Sequence, residues 1–273
     1  MALIRVSALP QYPDCPRRTA AKLWRKTLAD AGYELRDLPQ HVGGATGTGT
    51  HEAGAYALSE RRDGREANQQ EAEQRGLQAL EDAIQEGVVW DGTTPNLNTA
   101  QKQVLRQYHA YRDQIIPHTS PVEVEARFKA TTPNGHTLSG QVDVLDQAAL
   151  RDTKTGNYQR VNVAQYGGYS LLLRSNGMAV PAIYEDFIRR VKVKEPQPPV
   201  EPKAYPVETA ERVAWGIIQR MEADLADFER TGQAETFLAN PTSMLCSPDF
   251  CPAFGTAFCP ESQYHPKHTT EDP

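Results

Sequence analysis

Long apolar runs are missing from this 273-residue chain. The longest fully apolar stretches are a few residues, such as LLL at 171–173, far short of the roughly 20 positions a membrane-spanning helix needs. The start, MALIRVSALPQYPDC, has neither a secretory apolar core nor a cleavage site, so the chain reads as intracellular and cytoplasmic, with its cysteines reduced. A nucleotide-triphosphate loop is also lacking. GGATGTGT at 43–50 supplies glycines, but no G-x-x-x-x-G-K-[ST] lysine follows, which excludes an ATPase and leaves any unwinding to a separate helicase partner. No C-x2-C pair and no zinc-finger pattern occurs, so no base-reading element is expected. Positive charge is not in excess either. With 29 Lys and Arg against 35 Asp and Glu, the net charge of −6 argues against a histone-like binder. Local patches, which set contacts to nucleic acid, remain open.

What is present reads as one globular domain over 1–262, with 39% apolar and 23% charged residues. An N-terminal helical part covers 1–120. It holds a basic helix over 16–30, a flexible glycine-rich loop at 41–50, a helix from His51, and helices over 68–87 and about 98–116. β-Branched, alternating segments at 122–130, 136–145 and 149–154 predict strands of a catalytic sheet core over 121–195. That core also takes a helix at 161–177 and a strand through AIYEDFIRRVKV. The proline-rich segment 195–206 predicts an extended connector, followed by a long helix over 207–231 and a cysteine-bearing tail to 262. Residues 263–273 read as a disordered end. The fold class is α/β, a central mixed sheet flanked by helices.

The chemistry concentrates in GQVDVLDQAALRDTKTG, residues 140–156. On a strand Asp152 and Lys154 point the same way, and an antiparallel neighbour brings Asp143 alongside. Two converging carboxylates repel unless a cation neutralises them. A hard divalent ion, Mg²⁺ or Mn²⁺, suits such oxygen donors. Lys154 is better placed to hold charge growing on a phosphate. The alternative for this D-x-K is an exposed surface pair worth little.

Four cysteines lie at the two ends: Cys15, then Cys246, Cys251 and Cys259. Their spacing departs from paired zinc knuckles, whereas a 4Fe–4S cluster tolerates looser spacing. Zinc and four unrelated thiols stay as alternatives. Two basic groups offer phosphate contacts: Arg18, Lys22, Arg25 and Lys26 on the helix after Cys15, and Arg190, Lys192 and Lys194 along one strand face. For both, a solvated surface is the plainer reading.

Four motifs in order, GTGTHEAGAY with His51, GQVD with Asp143, DTKTG with Asp152 and Lys154, and QYGGY with Gln165 and Tyr169, resemble the RecB-like branch of the PD-(D/E)XK nucleases. The resemblance runs from residue 7 to about 260. It implies a restriction-endonuclease-like core in which His51, Asp143 and Asp152 bind metal, with the backbone carbonyl of Thr153 and, more weakly, Glu125 as further ligands. It casts Lys154 as the catalytic lysine, and Gln165 and Tyr169 as the pair orienting the active site and DNA backbone. The end-to-end cysteines resemble those of the iron–sulfur members, AddB-like and CRISPR-adaptation nucleases, which implies a 4Fe–4S cluster closing the tail onto the N-terminus. The expected activity is a Mg²⁺- or Mn²⁺-dependent DNA exonuclease acting at ends of single- or double-stranded DNA, in recombination, repair or end processing. A CRISPR-adaptation trimming nuclease and a non-catalytic iron–sulfur DNA-end-binding module are the alternatives. The compact, motor-free chain also suits a virus or mobile element.

Overall fold

In the computed structural model, which describes residues 1–265, six strands form one mixed sheet with helices on its faces. The strands are β1 (Leu3–Arg5), β2 (Pro121–Thr131), β3 (Thr137–Asp146), β4 (Leu150–Gly156), β5 (Ile183–Arg189) and β6 (Glu201–Tyr205). The sheet order is β1-β3-β4-β5-β6, with β2 on the other edge of β3. The helices are α1 (Pro16–Leu23), α2 (Arg25–Asp30), α3 (Val42–Arg62), α4 (Gln69–Ile84), α5 (Leu97–Gln114), α6 (Val163–Ser175) and α7 (Val207–Thr231). A core that includes Leu172 of α6, Met221 of α7 and the N-terminal Leu9 packs on one side of the sheet. A smaller one, with Leu58 of α3 and Tyr111 of α5, packs on the other.

Several sequence expectations are corrected here. The basic helix over 16–30 is two short helices broken at Trp24, whose buried ring packs 5.5 Å from Phe237 and whose indole N–H donates to the Leu3 carbonyl at 3.0 Å. The presumed flexible loop at 41–50 is mostly the first part of α3. Its glycines are there for close packing rather than mobility. A Cβ on Gly49 would lie 2.6 Å from the Gly76 carbonyl oxygen, and one on Gly47 2.8 Å from Thr155 Oγ1, so only glycine lets α3 approach α4 and β4 this closely. The sheet also extends beyond 121–195, through β1 and through β6 inside the proline-rich connector. Pro202 is tolerated because β6 is an edge strand. β5 stops at Arg189, so Arg190, Lys192 and Lys194 do not share a strand face. The disordered end expected for 263–273 lies mostly outside the described residues, and residues up to Tyr264 belong to a 3-10 turn, Pro260–Tyr264.

α6 and α7 touch backbone to backbone at Gly167, where a Cβ would sit 1.9 Å from the Ala210 carbonyl oxygen and 2.2 Å from its carbon. Such a clash cannot be relieved by a rotamer change. Gly167→Ala should therefore destabilise the protein by about 3 kcal/mol or more, read as a shifted urea midpoint. A midpoint within experimental error of the wild type would show that the two helices can separate freely.

Candidate active site and cysteine cluster

β3 is the organising strand. Its start pairs with β1 through Leu138, and its end pairs with β4 only at Val144–Arg151 and Leu145–Leu150. Between these ladders β3 and β4 part. The gap is bridged by a side chain, since Asp143 Oδ2 accepts from the Thr153 backbone N–H at 2.8 Å. The chain also turns over here. Val142 packs into the α6 core and Val144 into the α3–α5 core, although residues two apart on a regular strand share a face. On the neighbouring strand the register runs Val124–Val144, then Ala126–Val142, skipping the pair Glu125–Asp143. Glu125 is the one non-glycine residue with positive φ among the described residues, at 51°. An extended acidic residue held there costs on the order of 1 kcal/mol or more, strain of the kind that gathers at functional sites.

This irregularity brings together three groups that could grip a cation. His51, Glu125 and Asp143 each offer a ligand atom, all within 4.8 Å of one another. His51 Nδ1 lies 3.5 Å from Asp143 Oδ2 and 4.0 Å from Glu125 Oε1, and Gln141 steadies Glu125 with a 2.5 Å bond to Oε2. Glu125, the weakest of the sequence candidates, is thus a full member of the trio. Burial, and then the Asp143 charge, push its pKa up.

Asp152 stands beside this trio and is fully buried. Lys154 Nζ sits 2.5 Å from its Oδ2, yet neither carboxylate oxygen has a hydrogen bond of good geometry. Burial pushes the Asp152 pKa up to about 7; Lys154 opposes this and Asp143 adds to it. For Lys154, burial favours the neutral amine, but the Asp152 and Asp143 charges outweigh it and the pKa is raised. Without metal, Asp152 therefore takes up a proton more readily in the folded protein than in the unfolded chain. Stability should fall as pH rises from about 4 to about 7, on the order of a few kcal/mol. Mn²⁺ should cancel that loss. Melting curves across this range, with and without Mn²⁺, test it, and a flat metal-free profile would be inconsistent with it.

The donor set suits a hard divalent cation. It combines carboxylates with one imidazole, leaves two buried carboxylate oxygens short of partners, and gathers like charges that need neutralising. His51, Glu125 and Asp143 are the residues that would hold it; Asp152, expected from the sequence as a ligand, stands beside them, paired with Lys154. Thr153, whose carbonyl was the further candidate, is buried in the same stretch and lines the cleft.

Gln165 and Tyr169 are joined, Nε2 donating to the phenol oxygen at 2.8 Å. Both are buried, and burial together with the Asp152 and Asp143 charges raises the Tyr169 pKa. Gly140 makes room for this ring, since a Cβ there would be 2.8 Å from Tyr169 Cε1.

The sequence reading missed Glu185. It lies beside Asp152 in the β4–β5 register, is fully buried, and accepts from Gln159 at 2.6 Å, from Asn162 at 3.3 Å and from the Tyr166 hydroxyl. The available signal was the one that exposed Asp143, an acid within an apolar strand segment, AIYEDFI.

Of the basic residues, Arg18 is buried and bound to Asp14 and Ser243, so it is not free to meet a phosphate. Arg190 is likewise buried and paired with Asp91 at 2.5 Å. Arg25 pairs with Asp37 and Lys26 with Asp30. Lys22, Lys192 and Lys194 are exposed.

The four cysteines are all buried. Burial first, and then neighbouring thiols, push Cys246, Cys251 and Cys259 up to about 11; each of the three feels Cys15 and one other of the set. The chain ends are also tied by hydrogen bonds. Arg17 Nε donates to the Phe237 carbonyl at 2.9 Å and its Nη1 meets Glu261 at 2.5 Å, while Asn240 donates to the Asp14 carbonyl at 2.9 Å.

His51 and Glu125 of the trio, together with Lys154, line a cleft of about 1000 Å³ that also takes in Phe250 from the cysteine-bearing tail, while Asp143 lies behind them. No helix among the described residues is long and apolar enough to cross a membrane. A search of curated proteins finds no match. Among solved structures, a presumed exonuclease from Eubacterium rectale is similar, with a TM-score of 0.53 and 10% identity over 85% of this chain and 82% of that one. At that identity the likeness concerns the fold. The model of the PD-(D/E)XK nuclease superfamily matches residues 5–257. With that match over nearly all of its length, and with His51 against Asp143 and Lys154 against Asp152 at the cleft, the chain belongs to the PD-(D/E)XK nuclease superfamily.

Proposed function

We propose that this nuclease is a Mg²⁺- or Mn²⁺-dependent deoxyribonuclease that works from DNA ends, an exonuclease of recombination, repair or end processing. The observation that carries the reading is the meeting of His51, Glu125 and Asp143 within 4.8 Å, beside Asp152 and Lys154, where His51, Glu125 and Lys154 line an open cleft. A divalent ion bound there would supply a Lewis acid for the phosphoryl oxygen and lower the pKa of a bound water.

The chain's own groups do the rest. Lys154 stays charged because two carboxylates flank it, so its ammonium is available to the charge that grows on the phosphate in the transition state. Asp152 holds Lys154 in place through their ion pair. Asp143 fixes β4 against β3 through the Thr153 N–H and so keeps Asp152 and Lys154 in register with the trio. Gln165 and Tyr169 back this arrangement from α6. The absence of a nucleotide-triphosphate loop leaves strand separation to a helicase partner.

The proposal extends to the tail, where a 4Fe–4S cluster on Cys15, Cys246, Cys251 and Cys259 is supported by four buried thiols that perturb one another.

The test uses end-labelled linear DNA and a covalently closed circle, each with Mg²⁺, Mn²⁺ or EDTA. Progressive shortening of the linear DNA, sparing of the circle and no reaction in EDTA are expected. Rapid cutting of the circle would make it an endonuclease, and an inert protein in both metals would remove the nuclease reading.

A further inference from the structure

Aromatic rings line the cleft without serving the core. Tyr158, between β4 and α6, is 80% exposed, yet borders the cleft in the same segment as Lys154 and Asn157. Phe250, 37% exposed, stacks on His41 with ring centroids 4.6 Å apart and planes 17° from parallel. The His41 ring nitrogen lies 3.2 Å from the Asp249 carbonyl oxygen, which pins the pair. One exposed ring on a surface means little. Three rings on one cleft, above a set of groups suited to phosphodiester cleavage, call for a ligand with flat faces.

The free positive charge lies at the same place. Arg160, two residues beyond Tyr158, also lines the cleft, is exposed, and forms no ion pair among the described residues. Arg25, Lys26 and Arg190, by contrast, are each neutralised by an acid. Rings for stacking and an unpaired cation for phosphates form the chemistry that holds a single strand. In a duplex the bases are already stacked on one another and offer no free face to these rings.

We propose that the cleft binds single-stranded DNA, with Tyr158 and the His41–Phe250 pair as stacking platforms for bases and with Arg160 as a phosphate contact. The inference rests on the nuclease reading and names its substrate class.

Anisotropy with Ca²⁺ in place of Mg²⁺ would compare three labelled probes: oligothymidylate of about 16 nucleotides, an abasic strand with the same number of phosphates, and a duplex of that length. The proteins are the wild type, Tyr158→Ala, Phe250→Ala, and the ring-keeping Tyr158→Phe and Phe250→Tyr. The wild type should prefer oligothymidylate to both other probes by about tenfold or more, and each alanine variant should weaken oligothymidylate binding about tenfold. Abasic binding should not move, and the ring-keeping variants should bind as the wild type does. Tyr158 is so exposed that its substitution cannot be confused with unfolding. Equal affinity for the abasic and base-bearing strands, preference for duplex, or alanine variants that bind like the wild type would overturn the assignment. Should the wild type degrade duplex ends without such a preference, the substrate class falls and the nuclease stands. Should it degrade no DNA at all, the nuclease reading falls and takes this inference with it.

Discussion

Asp152→Asn and Lys154→Ala should each lower DNA hydrolysis by about 10²–10³-fold or more, the scale seen when one preorganised charge-stabilising group is removed. The two substitutions should differ in stability, and that difference separates a role in chemistry from a role in folding. Asp152 is a fully buried carboxylate whose pKa is raised mainly by burial. Asparagine keeps its shape and leaves the Lys154 ammonium partly exposed and still facing the Asp143 charge, so Asp152→Asn should cost little stability in the metal-free protein. Lys154→Ala takes the nearest counter-charge from the fully buried Asp152 carboxylate, and should cost more, increasingly so as pH rises. Because the pair is in contact, 2.5 Å apart, the double variant should lose little more activity than either single one. Rates and melting midpoints for the four proteins check this. Full activity in Lys154→Ala would remove the lysine from the mechanism.

Cys251→Ser should bleach and destabilise the protein. Anaerobically purified wild type is expected to be brown, to absorb broadly near ~400 nm and to contain iron. The serine variant should lose colour and iron together, along with a few kcal/mol of stability, by analogy with a cross-link that closes a very long loop. Cys15 lies more than two hundred residues before Cys246, Cys251 and Cys259 in sequence and comes within reach of their charges only through the fold. Burial holds the thiols of Cys246, Cys251 and Cys259 well above their ordinary range, so metal loading there must release protons and should weaken as pH falls. Zinc in place of iron would keep the staple and discard the cluster. A colourless, metal-free wild type from an anaerobic preparation would discard both.

Much of this architecture is legible in the residues. The alternation of VEVEARFKA and HTLSGQVDVL gives β2 and β3 almost to their ends, and α7 spans Val207–Thr231, as its sequence predicts. Asp143, Asp152 and Lys154 are conspicuous because charges in apolar strands need a reason. What escaped has physical causes. The glycines of α3 have low helix propensity and read as a loop; tertiary contact with Gly76 and Thr155 overrides that propensity. β1 is three residues long and pairs with a strand more than 130 residues away, so no local pattern announces it. The full standing of Glu125 depends on a positive φ and a skipped register, which periodicity does not encode. Arg190 looked like a surface cation because its partner, Asp91, is about a hundred residues distant.

The central proposal is that His51, Glu125 and Asp143, with Asp152 beside them, grip one hard cation. Titration of the protein with Mn²⁺, following the electron-spin resonance of the free ion, measures that grip directly. Wild type should remove Mn²⁺ from solution saturably, and Asp143→Asn or Glu125→Gln should weaken binding by about tenfold or more while the fold persists. A wild type that leaves the Mn²⁺ signal untouched, or variants that take up the ion as tightly as it does, would contradict the account.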